Sequence, residues 1–186
     1  IAHPLDWEVW IPTNIDLPSG ILLRKKEEDI TFEIRPVLKV RSSEILLKGP
    51  IAIDAPDGLI WNGGIYAGPF VLKPDAYGSW TFIEHVPLER YLEGVVPFEI
   101  GSNSPQAALS AQAVLARTWA LANHHRFMVD GYHLCSDVQC QVYKKPNEAP
   151  LKVKNAILKT SGRILKWKGK PISAVYHATN GGVMAS

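Results

Sequence analysis

Cysteine and methionine are nearly absent, with two of each in 186 residues. Two cysteines cannot build the several-bridge framework that holds small secreted domains together, so a packed core has to carry the fold. Nor is one charge in excess. Twenty Lys and Arg stand against 18 Asp and Glu, a net charge of +2. That balance gives no electrostatic footprint for nucleic acid. No stretch reaches the roughly 18 apolar residues of a membrane-spanning helix. Internal repeats are absent. The chain opens on Ile1 without the basic and apolar blocks of a secretory leader, which suggests a processed or trimmed start. It stops at Ser186, just after Gly181-Gly182, where the fold is expected to continue.

What is present is an ordinary globular mix, 46% hydrophobic and 20% charged. The length suits one sizeable core, or one core with a small lobe. Residues 1–79 are expected to be a β-rich part, and residues 80–186 the core that carries the chemistry. In the first part, Asp57-Gly58 and Asn62-Gly63 are hairpin signals. Its aromatic residues suit either hairpin packing or sugar stacking. Ser79 to Val86 returns to a strand pattern, closed by Pro87.

The most informative stretch runs from Tyr91 to Trp119. Set apart from Glu93, its second acid, Glu99, stands among Val95, Val96, Pro97, Phe98 and Ile100. We expect a short helical turn at Leu88 to Leu92 and a connection carrying Glu99. A long Ala-rich helix should follow, with Ser104 as N-cap and Pro105 in its first position, reaching about Arg126. Leu109, Ala113, Ala116 and Ala120 form one stripe at helical spacing, bordered by Gln112. On composition alone Glu99 reads as a surface or helix-dipole acid. A carboxyl held in apolar surroundings can instead do general acid/base work.

Further on, His133, Cys135 and Cys140 could supply three zinc ligands. A disulfide or two buried thiols explain the same cysteines. Leu151 to Thr160 reads as a short helix with Val153, Ile157 and Leu158 inward, stopped at Gly162. Arg163–Trp167 and Ile172–Ala178 read as a hairpin. Alternation puts Ile172, Ala174 and Tyr176 on one face and Ser173, Val175, His177 and Thr179 on the other. The architecture expected is α+β: one long helix packed on mixed strands, with a C-terminal hairpin.

Four segments carry a family resemblance. YLEGVVPFE and ALSAQAVLARTWAL resemble the "GVVxxEMP" and "LKAQAVAARTYA" runs of the SpoIID/LytB family of sporulation and cell-wall proteins. CSDVQCQVY resembles the family's "CDTTHCQVY", and GKPISAVYHATNGG its "GKPIxAxYHSTSGG". The segments keep the family's order across Val86 to Gly182. This chain departs at Ile100-Gly101 for Met-Pro, Ser110 for Lys, Gln139 for His, Ala178 for Ser or Thr, and Asn180 for Ser.

The resemblance implies an extracytoplasmic or periplasmic domain of the cell envelope that binds peptidoglycan glycan strands. In SpoIID-type members it implies a lytic transglycosylase with Glu99 as the catalyst. In LytB-type members it implies a glycan-binding module that enhances an amidase. Arg117, Gln112, Asp137, Gln141, Tyr176, His177, Thr179 and Asn180 are the expected substrate contacts. No cofactor is required. Some members bind zinc in the cysteine segment, through a His where Gln139 stands here.

Overall fold

The computed structural model describes residues 2–3, 50–53, 55, 58–61, 64–74 and 80–177. The expected Asp57-Gly58 turn is described only at Gly58, and Asn62-Gly63 lies outside the described residues. Among them, β1 (Ala2–His3), β2 (Ile51–Ile53), β5 (Phe70–Pro74) and β6 (Trp80–Glu84) form one antiparallel sheet in the order β1-β6-β5-β2. A hairpin of β3 (Leu59–Trp61) and β4 (Gly64–Tyr66) stands apart, with Trp61 opposite Gly64. A second, shorter hairpin joins β7 (Lys166–Trp167) and β8 (Lys170–Pro171). Three helices complete the α+β architecture: α1 (Leu88–Ile100), α2 (Gln106–Asn123) and α3 (Leu151–Lys159).

Helix α1 is longer than its sequence suggested. A continuous 13-residue helix takes up both the expected turn and the expected connection. Pro97 lies inside it. A proline there removes one internal hydrogen bond, yet Val95 and Val96 just before it are fully buried. Packing outweighs the lost bond. Gly101 ends the helix at φ +82°, donating to the Pro97 carbonyl. Proline cannot reach that φ, so the Gly that replaces Pro here closes the helix with a conformation of its own.

Helix α2 starts one residue later than expected, with Pro105 in the cap position and no side-chain cap. The Ser104 hydroxyl instead donates to the Ile100 carbonyl at 2.7 Å, tying the end of α1 to the start of α2. The expected Leu109, Ala113, Ala116 and Ala120 stripe is buried. Small side chains there let α1 and α3 pack closely on α2. In α3, Val153 and Ile157 point inward as expected, but Leu158 is exposed. Ala156 takes the inward place.

One core cluster joins Phe70, Leu72 and Phe82 of the sheet to Leu92 and Val95 of α1, Leu109 of α2 and Ile157 of α3. No described helix is long and apolar enough to cross a membrane.

Candidate functional site

Glu99 sits in the last turn of α1, at the negative end of that helix dipole rather than beside a helix N-terminus. Its carboxyl is half-buried, with Phe98 exposed beside it. The surroundings are also more polar than expected. The Val142 N–H donates to Glu99 Oε1 at 3.0 Å, and the Tyr176 hydroxyl faces the same carboxylate. The Tyr176 contact acts on the phenol's ionisation without meeting full hydrogen-bond geometry.

Gly94 explains how Val142 arrives there. A Cβ on Gly94 would lie 2.6 Å from the Tyr143 ring and 3.1 Å from the Lys144 carbonyl oxygen. With only hydrogen there, the segment 141–145 lies flat on α1, and the Lys144 N–H donates to the Gly94 carbonyl at 3.0 Å. The turn just before that segment is closed by a disulfide between Cys135 and Cys140, with Cα atoms 5.8 Å apart. The sequence left zinc, thiols and a disulfide open. Two sulfurs bonded to each other offer no thiolate, so His133, Cys135 and Cys140 do not fit a zinc site. The His133 ring instead lies 6.2 Å from His124, centroid to centroid. Among the described residues, no group of three or more His, Cys, Asp or Glu is placed to hold a metal.

Tyr176 comes from the irregular segment after β8. The expected strand there is missing, and Ala174 and Val175 bond back to Ile172 and Ser173 instead. The facing nonetheless follows the alternation: Ala174 is buried, Tyr176 half-buried, and Ser173, Val175 and His177 exposed. Behind Tyr176 lie two buried amides. Gln141 Nε2 donates to the Tyr176 oxygen at 2.8 Å and to the Ala116 carbonyl at 3.3 Å, and Gln141 Oε1 accepts from the Tyr91 hydroxyl at 2.9 Å. Gln112, from α2, also lies against Tyr176, although its buried Nε2 has no partner in hydrogen-bond geometry. Burial pushes the Tyr176 phenol well above its ordinary value, and the Glu99 charge pushes it further. It is therefore a neutral donor across the physiological range. Burial does the same to Tyr91.

So Glu99, Gln112, Gln141 and Tyr176 meet, and the two amides meet the others from below. At 5% and 1% exposure both amides are buried behind Tyr176. Arg117 does not join them. Its guanidinium is 1% exposed and forks onto Glu89 at 2.6 and 2.8 Å. Its remaining donors reach the carbonyls of Arg163 and Ala113 at 3.1 and 3.4 Å, and that of Ile157 at 3.4 Å. It braces α1, α2 and the start of the β7 segment. Asp137 is exposed and accepts from the Gln139 N–H at 2.9 Å within its own turn. His177 is exposed. Thr179 and Asn180 lie outside the described residues.

Two participants escaped the sequence reading. Tyr91 lies about two turns before Glu99 on the same helix, a relation visible only once Pro97 is accepted inside that helix. Glu84, 2% exposed, accepts from the Tyr143 hydroxyl at 2.9 Å. It lines a cleft of about 700 Å³ with Leu88, Tyr91, Leu121, His124 and Tyr132. Tyr91 belongs to both places: its ring borders the cleft and its hydroxyl reaches the Gln141 amide.

Comparison with known proteins follows the same residues. The model of the SpoIID family, stage II sporulation protein, matches residues 76–167. An uncharacterised protein of Brachyspira hyodysenteriae is 32% identical over 176 residues, covering 91% of this chain and 46% of the relative. Stage II sporulation protein D of Bacillus amyloliquefaciens is 34% identical over 119 residues, covering 54% of this chain and 33% of the relative. Its counterpart in Bacillus subtilis is 33% identical over 119 residues, covering 54% and 34%. The chain thus spans a third to just under half of the length of these relatives. Taken with the ordered segments around Glu99, Gln112, Gln141 and Tyr176, these matches show that the chain belongs to the SpoIID family.

Proposed function

We propose that this chain is a peptidoglycan lytic transglycosylase domain of the cell envelope, acting on glycan strands outside the cytoplasm with no metal or other cofactor. The observation that carries the reading is the meeting of Glu99 with the Val142 N–H and the Tyr176 hydroxyl at one half-buried point. A single acid served by fixed donors is what an intramolecular glycoside cleavage needs. Protonated Glu99 gives its proton to the oxygen joining N-acetylmuramic acid to N-acetylglucosamine. As the muramic C1–O bond breaks, the muramic C6 hydroxyl bonds to C1. Its proton returns to the Glu99 carboxylate, and the product ends in a 1,6-anhydro ring. Fixed donors meet the charge on Glu99 between the two proton transfers.

Ordinary glycosidases use a carboxylate pair. The acids nearest in sequence are otherwise engaged. Glu89 holds Arg117, and Glu93 pairs with Arg90 at 3.0 Å and with Lys154 at 3.9 Å. Digestion of purified glycan strands in ¹⁸O-labelled water, read by mass spectrometry, tests the reaction class. Anhydro ends without label are the expected result. Labelled reducing ends would mean hydrolysis. Binding without cleavage would favour a module that recruits or enhances an amidase.

A further inference from the structure

The orientation of the Gln141 amide is dictated by its partners. Nε2 faces the Ala116 carbonyl, which can only accept, while Oε1 faces the Tyr91 hydroxyl. The same Nε2 donates to the Tyr176 oxygen. A phenol has one proton to give, and an oxygen that is already receiving an amide proton directs its own elsewhere. Gln112 tightens the constraint. Its Nε2, buried and without a partner in good geometry, is a second amide donor against the same phenol. On the other side of Tyr176 stands the Glu99 carboxylate.

We propose that Gln141 is a positioning residue: by donating to the Tyr176 oxygen it turns the Tyr176 proton toward Glu99. Donation then runs from Tyr91 to Gln141 and from Gln141 to Tyr176, which leaves the Tyr176 proton to turn toward the facing Glu99 carboxylate. The phenol steadies the Glu99 carboxylate each time that acid has passed its proton to the leaving oxygen. This consequence rests on the transglycosylase reading, whereas the direction of the hydroxyl does not. A purely structural Gln141 would fill the same space and satisfy Ala116, with no effect on how Tyr176 and Glu99 sense each other.

The decisive experiment is a double-mutant cycle on the free protein. A difluorinated tyrosine placed at position 176 brings the phenol's ionisation into an accessible range, and fluorine NMR reads its midpoint. With Gln141 intact, Glu99→Gln is expected to lower the midpoint by about one unit or more, because a facing negative charge is removed. With Gln141→Leu the same Glu99 change should still remove that charge but should move the midpoint less, because the part carried by a Tyr176 proton aimed at Glu99 is already lost. Gln141→Met, which nearly keeps the volume and deletes the donor without adding a charge, serves where the leucine variant does not fold. A midpoint insensitive to Glu99, or equally sensitive whatever stands at 141, overturns the proposal. Turnover separates the two claims. Tyr176→Phe and Gln141→Leu should each lower kcat roughly tenfold or more with KM nearly unchanged. Should the wild type release no anhydro ends, the transglycosylase reading falls, and the NMR cycle still decides the role of Gln141.

Discussion

The Arg117 guanidinium, buried against Glu89 and three carbonyls, separates structural from chemical roles within one helix. Glu89→Gln should leave that cation poorly paired and cost roughly 1–3 kcal/mol of stability in urea unfolding. Glycan cleavage well below the melting point should stay near the wild-type rate. A large loss of turnover at unchanged stability would instead return Arg117 to the substrate groove. The sequence offered no way to make this distinction. Arg117 and Gln112 lie five positions apart on α2, and either could face the acid. Only the fold shows that Glu89 had been brought round to meet Arg117. Glu99 was legible because it stood among apolar neighbours and carried the family's motif. Its polar setting was not, since the Val142 N–H and the Tyr176 phenol arrive from 43 and 77 residues further along the chain.

At the level of elements, α1 and the 141–145 segment that follows the disulfide-closed turn depend on each other. Alanine normally gains about 1 kcal/mol over glycine inside a helix. At Gly94 the new methyl would instead collide with the buried Tyr143 ring and the Lys144 carbonyl. Overpacking of this kind costs about 1–3 kcal/mol. Gly94→Ala should therefore lower stability on balance, by up to about 2 kcal/mol, and reduce cleavage by lifting Val142 away from Glu99. A stabilised variant in chemical denaturation would contradict the close packing.

The disulfide carries a second prediction. Closing so short a loop stabilises by about 2 kcal/mol on the chain-entropy view. Cys140→Ser or reductant should lower stability by up to about that much, while a chelator should leave both stability and cleavage unchanged. Stoichiometric zinc in the purified protein would contradict this. Sequence patterns located α2 and α3 well because long runs without Gly or Pro speak through periodicity alone. They failed at α1, where Pro97 argued for a break and burial of Val95 and Val96 overrode it. They also failed after β8, where alternation gave the right facing but no partner strand was there to pair with.

Across the whole molecule, buried tyrosines link the parts. Tyr143 stacks on Tyr91 at 5.3 Å and packs against Tyr66 at 5.8 Å, joining α1, the β3-β4 hairpin and the 141–145 loop. Burial raises the phenol pKa of Tyr66, Tyr91, Tyr143 and Tyr176 in the folded state. A raised folded pKa contributes stability that is fully present below the unfolded value of about 10 and is lost as pH climbs above it. Each such group steepens the loss by up to about 1.4 kcal/mol per pH unit. Urea midpoints should therefore hold steady from pH 7 to 9 and drop steeply above about pH 10. Tyr143→Phe should flatten that drop, and an unchanged slope would argue against burial of this phenol.

That one carboxyl, Glu99, performs both proton transfers can be checked by incubating denuded glycan strands with the wild type and with Glu99→Gln, then measuring binding and product ends side by side. Anhydro-ended fragments are expected from the wild type and none from the variant, with similar glycan binding by both. Anhydro ends released by the variant at the wild-type rate would contradict that role.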